Sequence, residues 1–159
     1  MLKLYKITNT EKRYWETWEN DDGSHIVHWG TLGTKGKSKT VKPSLLKKAE
    51  RKIQEEIDQI VSEGFRPIEP EDHITLLIEY KVDGMGSPED VEKRHRLESR
   101  MNETLGWMGL GACDGGSIGS GTMEVCNFVV DFGIAKKVIE ADLVGTEFAN
   151  YTRIYDENA

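Results

Sequence analysis

Glycines stand at every third position of the stretch Trp29-Gly30-Thr31-Leu32-Gly33-Thr34-Lys35-Gly36-Lys37-Ser38. This pattern predicts a loop between two strands. Such a loop exposes backbone N–H groups that can approach phosphate oxygens closely, and its lysines add long-range attraction for an anion. The stretch is therefore the first candidate for a binding site in this chain.

Short strands separated by polar turns surround the loop. They are predicted at residues 2–7, 14–18, 25–29 and 38–41, and Asp21-Asp22-Gly23 is the clearest turn. Apolar residues recur at helical spacing from Ser44 to about Ser62. The residues in this stripe are Leu45, Leu46, Ala49, Ile53, Ile57, Ile60 and Val61. The first half is thus predicted to be a small antiparallel sheet covered by one amphipathic helix.

Basic residues are concentrated in the loop and the start of this helix. Positions 35 to 52 hold eight Lys or Arg and a single acid, Glu50. Exposed lysines are commonly just solvated surface residues with no binding role. Here, however, the whole chain is acidic, so a local basic surface is not a by-product of composition. The candidate nucleic-acid-binding residues are Trp29, Lys35, Lys37, Lys39, Lys42, Lys48 and Arg51.

The run of Trp29, Gly30, Gly33 and Gly36, preceded by Tyr14 and followed by the helix with Phe65 at its end, resembles a WGR domain. This small sheet-plus-helix module occurs in poly(ADP-ribose) polymerases and in assorted bacterial proteins, and the resemblance covers about residues 1–68. It implies nucleic-acid binding, since in the polymerases the module grips a DNA end with its motif tryptophan and neighbouring basic residues. The corresponding contact residues would be Trp29, Lys35, Lys37 and Lys39.

The third motif position, arginine in the family name, is Thr31 in this chain. A threonine donates at most one neutral hydrogen bond, whereas an arginine fork makes charge-assisted contacts with phosphate. Two interpretations of Trp29 therefore stay open. Its indole either contacts nucleic acid or caps the small core.

The second half follows the order βαββαβ, which is that of the ferredoxin-like fold. Strands are predicted at residues 73–82, within the glycine-rich segment 106–121, and at 123–132 and 148–155. Ser87-Pro88-Glu89-Asp90 predicts the start of a helix that reaches about Leu105, and a second helix is predicted at residues 133–144. The fold class is thus α+β, with a WGR-like domain at 1–68, a stiff linker at 64–72 and an acidic ferredoxin-like domain at 72–157.

Alternation along the strands predicts which side chains face away from the helices. They are Thr75, Leu77, Glu79 and Lys81 on the first strand and Val125, Asn127 and Val129 on the third, with Cys126 and Phe128 on the core side. This set contains no aromatic ring, which argues against a sheet that stacks RNA bases. Leu77, Val125 and Val129 would form an apolar patch for the first domain or a second copy of the protein.

The glycine-rich residues 109–121 lack the Gly-Lys-Ser/Thr ending of a P-loop, and a strand follows them. They are interpreted as a flexible hairpin or, alternatively, as a loop that grips a ligand or partner through Asp114, Ser117 and Ser120. Arg94 and Glu98 lie on the apolar stripe of the preceding helix. They are interpreted as an ion pair at the core border or, if buried near Asp114, as a binding or acid–base group.

No residue pattern indicates a catalytic centre or a metal site. His25 and His28 would point to opposite faces of one strand, and Cys113 and Cys126 have no clustered partners. Nothing matches a nucleophile elbow or a catalytic triad. We expect a non-enzymatic protein with no metal and no cofactor.

Charge divides the 159-residue chain into two different halves. Residues 1–68 carry thirteen Lys/Arg and ten Asp/Glu, a net +3, and the rest carries eight and eighteen, a net −10. The sequence has neither a membrane-length apolar stretch nor the pattern of a signal peptide, so we expect no membrane association and a cytoplasmic location. Two cysteines are too few for a disulfide framework.

Three functional hypotheses remain. In the leading one, the chain is a binding or adaptor protein whose residues 29–52 contact DNA or RNA, or a protein. In the second, it is an immunity- or antitoxin-type protein whose acidic half neutralises a basic protein partner. In the third, the second half senses a small ligand, as βαββαβ domains do at dimer interfaces, which would make the protein a homodimer.

Overall fold

The computed structural model describes residues 1–159, which divide into two compact units, Met1–Glu69 and Pro70–Ala159. Each unit has its own antiparallel sheet with at least one helix packed against it and is described by itself. No helix in either unit has the length and apolar character needed to cross a membrane.

The first unit is an antiparallel meander with one helix packed against it. Its strands are β1 (Leu2–Ile7), β2 (Lys12–Glu19), β3 (His25–Thr31) and β4 (Lys37–Val41), paired in the order β1-β2-β3-β4, and its helix is α1 (Ala49–Ser62). The buried residues between sheet and helix are Leu4, Trp15, Val27, Ile53 and Phe65. The predicted sheet covered by one helix is confirmed.

Helix α1 begins at Ala49, so the prediction of a start at Ser44 is wrong. The Ser44 hydroxyl accepts a hydrogen bond from the Lys47 amide at 3.2 Å, and Lys48 has an extended backbone. This local turn competes with the helix, as serine side chains commonly do near helix starts. Leu45 and Leu46 consequently lie outside the helix and are fully exposed.

The segment after α1 returns to the sheet. Phe65 is buried in the core, and the amides and carbonyls of Arg66 and Tyr5 exchange two hydrogen bonds of 2.8 Å. Phe65 and Arg66 are therefore part of the first unit, and the segment that can act as a linker is shorter than the predicted 64–72. A short 3-10 turn, Pro70–Asp72, opens the second unit.

The second unit has the ferredoxin-like arrangement. Its elements are β5 (Ile74–Lys81), α2 (Pro88–Trp107), β6 (Gly111–Gly119), β7 (Thr122–Val129), α3 (Phe132–Leu143) and β8 (Arg153–Asp156), and the sheet order is β6-β7-β5-β8. Ser87 is the N-cap of α2, as predicted, and it also forms a capping box with Asp90. The predicted α+β class is confirmed.

Two predicted strand bounds in the second unit are wrong. Strand β7 ends at Val129 rather than at residue 132, because the Asp131 side chain accepts the Ile134 amide at 2.9 Å and thereby starts α3. Strand β8 begins at Arg153 rather than at residue 148. Phe148 is instead held in a turn, where its amide donates to the Thr146 hydroxyl at 3.1 Å and its carbonyl accepts the Tyr80 hydroxyl.

Strand β7 turns inward the set of side chains that was predicted to face outward. Met123, Val125, Asn127 and Val129 are buried, whereas Cys126 is half-buried on the other face and Phe128 is 40% exposed. The register decides this, because Leu76 and Ile78 face the helices and their direct partners are Asn127 and Val125. The prediction of which side chains face away from the helices was right for β5 and wrong for β7. On β7 both alternating sets of side chains contain apolar residues, so the pattern alone does not show which set is buried.

This reversal also changes the chemistry of the face that looks away from the helices. Leu77 pairs with Cys126 and with Tyr155, and Thr75 pairs with Phe128. Two aromatic rings, Phe128 and Tyr155, therefore lie on a face that was predicted to have none. Cys126, which was interpreted as a core residue, lies there too.

Candidate nucleic-acid interface

A cleft of about 190 Å³ lies between helix α1 and the sheet of the first unit. Both aromatic rings and charged groups line it. The lining residues are Arg13, Tyr14, Trp15, Val27, Trp29, Lys39, Glu56, Ile60 and Phe65. Rings beside cations can hold the sugars, bases and phosphates of a nucleic acid, so the cleft combines the groups such a ligand requires.

Trp29 takes part in both the core and the cleft. Its half-buried indole packs against the core between sheet and helix, and the Lys39 Nζ lies 5.9 Å from the centre of its ring. Lys39 is also 2.6 Å from Glu56 Oε1 on α1. Each of the two interpretations of Trp29 therefore has a structural counterpart, a face against the core and a face that lines the cleft.

Arg13 lines the cleft although no sequence motif includes it. It is the direct cross-strand partner of Thr31, so the two side chains lie on the same face of the sheet. Its guanidinium lies 5.7 Å from the centre of the Phe65 ring and 3.3 Å from Glu11 Oε1. Arg13 thus places a guanidinium on the face where the motif arginine is missing. Only the pairing register of β2 with β3 could have revealed it.

The glycine-punctuated loop folds back over Tyr14. A Cβ at Gly30 would lie 2.7 Å from Gly36 Cα, and Gly36 has a φ of +62°. Side chains at these two positions would therefore collide or strain the backbone. The Tyr14 hydroxyl donates to the Thr34 carbonyl at 2.8 Å. Burial and the nearby Glu16 raise the pKa of Tyr14 to about 12, so it remains a donor.

The buried His28 side chain contacts the backbone of the glycine-punctuated loop. It is 1% exposed, its Nδ1 lies 2.7 Å from Glu16 Oε1, and its Nε2 lies 2.6 Å from the Lys35 carbonyl oxygen. The Tyr14 hydroxyl lies 3.2 Å from the same Nε2, so the buried imidazole links Glu16 on β2, Tyr14 and the loop carbonyl. Glu16 is itself 6% exposed. Lys35 is thereby held by its backbone while its side chain stays exposed.

Residues 1–72 match the model of the WGR domain family. This part of the chain is a WGR domain. The second half matches no family, and the chain has no significant match to a curated protein or to a solved structure. The WGR domain is a nucleic-acid-binding type of module, which supports a binding role for this chain at that level.

The cations predicted for the WGR domain form two groups. Lys37 is the cross-strand partner of Trp29, and Lys35 and Lys39 lie near the same end of β3 and β4. Lys42, Lys48 and Arg51 lie past the other end of β4, whose length from Lys37 to Val41 is about 13 Å. The second group therefore lies apart from Trp29, and within it Arg51 is 4.0 Å from Glu55.

The WGR domain's exposed cations differ in whether an acid already neutralises them. Lys39 pairs with Glu56, and Lys47 lies 2.8 Å from Glu55. Lys35 and Lys37 are exposed and take part in no ion pair. Among the cations near Trp29, these two lysines are thus the most available to an incoming phosphate.

The candidate residues of the second unit do not converge on one site. Arg94 Nε lies 3.2 Å from Glu98 Oε1, with both side chains mostly buried, and Arg94 donates to the Gly116 carbonyl at 3.4 Å. Asp114 is exposed at a bulge in β6, Ser117 pairs with Glu124, and Ser120 lies in the hairpin turn. Along the strand, Asp114, Ser117 and Ser120 are each about 10 Å from the next.

The geometry of Arg94 and Glu98 matches the ion-pair interpretation. A Cβ at Gly116 would lie 3.0 Å from Arg94 Cδ and 3.1 Å from Glu98 Oε1, so the pair packs tightly over the glycine-rich strand. One turn further along the same face of α2, Asn102 accepts the Cys113 amide at 3.0 Å. Side chains of α2 therefore satisfy part of the exposed edge of β6, which an edge strand requires.

Proposed function

We propose that this chain is a non-enzymatic nucleic-acid-binding protein whose WGR domain holds the sugar-phosphate backbone at the cleft beside Trp29. The observation that carries the proposal is the convergence of Trp29, Phe65, Arg13 and Lys39 on one cleft. The unpaired Lys35 and Lys37 lie at the same end of the sheet. Nothing in this role requires a catalytic group or a cofactor.

Phosphate recognition is assigned to the cations. Arg13 offers a planar fork suited to two phosphate oxygens, and it does so on the sheet face where Thr31 cannot. Lys35 and Lys37 act as point charges that raise the association rate and neutralise neighbouring phosphates. Lys39 lies between Glu56 and the Trp29 ring and helps to hold these groups in position. Because Glu56 partly neutralises it, Lys39 contributes less to the attraction of phosphate.

Sugar or base contact is assigned to the rings. The part of the Trp29 indole that faces the cleft offers an apolar surface against which a deoxyribose or a terminal base can pack. The cleft is bounded by α1, so it admits the end of a strand more readily than the middle of a duplex. We therefore propose nucleic-acid ends as the preferred ligand.

The second unit is proposed to be the adaptor half. Its net charge of −10 suits a basic protein partner and opposes nucleic acid. The same charge supports the alternative function, an immunity-type protein that neutralises a basic partner. The two functions differ in what the WGR domain does, because only the first requires nucleic acid to bind there.

The test is a fluorescence titration of the whole chain with a short duplex that has free ends and with the same sequence closed by hairpins. We expect tighter binding to free ends and a steep loss of affinity between about 50 and 200 mM salt. Replacing Lys35 and Lys37 by alanine should reduce the slope of log K against log salt by about 2. Trp29→Ala should weaken binding with little change in slope.

The matched control is Lys81→Ala with Lys137→Ala, which removes the same charge from exposed positions of the second unit. This control should leave the slope unchanged. Binding that does not depend on salt, or that is equal for the Lys35/Lys37 variant and the control, would contradict the proposal. In that case a pull-down of basic proteins by the intact chain would test the immunity-type alternative.

A further inference from the structure

The sheet face of the second unit that looks away from α2 and α3 has an apolar and aromatic centre. We name it the open sheet face and define it by Leu77, Cys126, Phe128 and Tyr155, which the register of β5, β7 and β8 brings together. Phe128 is 40% exposed and Cys126 and Tyr155 are half-buried. An exposed aromatic side chain among apolar neighbours is typical of a contact surface.

Acidic residues surround this centre. Glu124 accepts a hydrogen bond from the Tyr155 hydroxyl at 2.9 Å, and Asp114 and Glu157 are exposed nearby. Burial is the main reason that the pKa of the Cys126 thiol is raised, and all three acids raise it further, which indicates that they lie close to it. Two cations lie on the face: Lys81 at the end of β5, and Arg153, which lies 3.8 Å from the Tyr155 ring centre and is paired with Glu79 at 3.0 Å. The rim therefore carries uncompensated negative charge.

The first unit contains a segment of opposite character. Residues 42–48, which we name the basic leucine segment, read Lys-Pro-Ser-Leu-Leu-Lys-Lys, and Leu45 and Leu46 are 106% and 97% exposed. Lys42 and Lys48 take part in no ion pair. A single exposed leucine is ordinary, but two adjacent and fully exposed ones between lysines have no role in the folding of their own unit.

We propose that the open sheet face binds the basic leucine segment of a second copy of this chain. Leu45 and Leu46 would cover the apolar centre around Phe128. Lys42 and Lys48 would meet the acidic rim formed by Asp114, Glu124 and Glu157.

Charge complementarity selects the second copy as the occupant. The segment and the face carry opposite charge, and each presents apolar groups at its middle and charges at its margins, as protein interfaces do. The segment precedes the first helical turn of α1, so it can adapt its backbone without disturbing the core. The contact joins two different surfaces, so each copy has one of each to offer.

The test is sedimentation of the intact chain over a wide range of protein concentration at low and high salt. We expect a mass that rises with concentration and association that weakens with salt. The segment variant carries Leu45→Asp and Leu46→Asp, and the face variant carries Phe128→Asp. Each alone should raise the apparent dissociation constant by about tenfold or more. Val144→Asp, at a side chain that is 75% exposed elsewhere in the second unit, is the matched control and should change nothing.

Mixing the two variants identifies the pairing. The segment variant keeps an intact face and the face variant keeps an intact segment, so a mixture should associate where each alone does not. A wild-type chain that stays monomeric, association lost in only one of the two variants, or a mixture of folded variants that stays apart would each overturn the proposal.

A charge reversal provides a second test, made in the two variants so that only one segment and one face can pair. Lys42→Glu with Lys48→Glu, added to the face variant, should abolish its association with the segment variant. Asp114→Lys with Glu157→Lys, added to the segment variant, should restore it, because all four positions are exposed. Failure of this restoration would also overturn the proposal. The outcome does not depend on nucleic-acid binding, which involves Trp29 and the other end of β4.

Discussion

At the level of single residues, Arg13 and Thr31 change the meaning of the WGR motif in this chain. They are direct partners on β2 and β3, and a guanidinium from either position would project from the same face beside Phe65. Position 31 therefore lacks the arginine of the motif, but Arg13 supplies a guanidinium on the same face of the sheet. A contact to phosphate depends on where the group lies and not on which strand supplies it.

The first prediction tests whether Arg13 takes the place of the motif arginine. Arg13→Ala should weaken nucleic-acid binding on the order of tenfold, since a hydrogen bond to a charged group contributes about 1.5 kcal/mol or more. Thr31→Arg in that variant should recover most of the loss. A double-mutant cycle by fluorescence titration measures the coupling, and Arg13→Lys tests the need for a planar fork. Additive effects of the two substitutions would contradict a shared role.

His28 is the second residue whose role depends on its position in the fold. It lies under the loop, between the Glu16 carboxylate and the Lys35 carbonyl, on the face of the sheet opposite the Trp29 cleft. His25, three residues earlier, lies on the other face and its Nε2 has no hydrogen-bond partner. The two histidines thus differ in function despite their close spacing.

The second prediction follows from that difference. His28→Ala leaves the Lys35 carbonyl without its hydrogen-bond partner and the Glu16 carboxylate with only Lys3, 3.8 Å away, and removing a buried hydrogen-bond partner costs about 2 kcal/mol. Urea unfolding should show a loss of that order in the free energy of unfolding of the first unit. Nucleic-acid binding should weaken although no contacting cation is removed. His25→Ala is the matched control, and equal losses in the two variants would contradict the assigned role.

At the level of elements, β7 shows how a strand of apolar residues is oriented by its neighbour. Pairing with β5 places Val125 and Val129 against the helices and leaves Cys126 and Phe128 on the open sheet face. Burial, followed by the nearby Asp114 and Glu157, raises the pKa of Cys126 to about 11. Cys126 is therefore a half-buried thiol in negative surroundings.

The third prediction concerns this thiol. Since its pKa is raised, the reactive thiolate is roughly a thousandth of the population at pH 8. Alkylation of Cys126 in a Cys113→Ser background should be slow at pH 8 and should accelerate as the pH approaches 11. Asp114→Asn should move the midpoint to lower pH, because it removes a negative charge that disfavours the thiolate. Rapid alkylation at pH 8, followed by mass spectrometry, would contradict the described environment.

At the level of the whole molecule, the acidic second unit affects any approach to nucleic acid. A net charge of −10 in the same chain repels phosphate over distances of about a Debye length, which is ~10 Å at 0.1 M salt. The nucleic-acid binding that we propose for the WGR domain works against that repulsion. This arrangement favours local contacts at the cleft over non-specific adhesion along a duplex.

The fourth prediction measures this repulsion. Asp83→Asn with Glu92→Gln removes two exposed acids from the second unit. The association rate with nucleic acid should rise about twofold at low salt and be unchanged at high salt, whereas the dissociation rate should stay the same. Stopped-flow fluorescence at two salt concentrations checks it. An unchanged association rate at low salt would show that the second unit does not influence the encounter.

The sequence was sufficient for features that depend on neighbouring residues. Glycine spacing, the N-cap of α2 at Ser87, and the alternation of β5 each act over a few positions, so the WGR motif and the βαββαβ order could be predicted directly. It failed at the start of α1, where an apolar stripe continued through Leu45 and Leu46 beyond the helix itself. There the local turn at Ser44 outweighed the periodicity.

The sequence by itself determined the elements, the division of charge between the halves and the tryptophan loop. Tertiary structure alone decided that Arg13 joins Trp29 at the cleft, that His28 holds the loop, and that Phe128 faces outward. The physical reason is that alternation sorts the side chains of a strand into two sets, but only pairing with another strand decides which set is buried. Pairing also brings together residues such as Arg13 and Thr31, which no spacing along the chain relates.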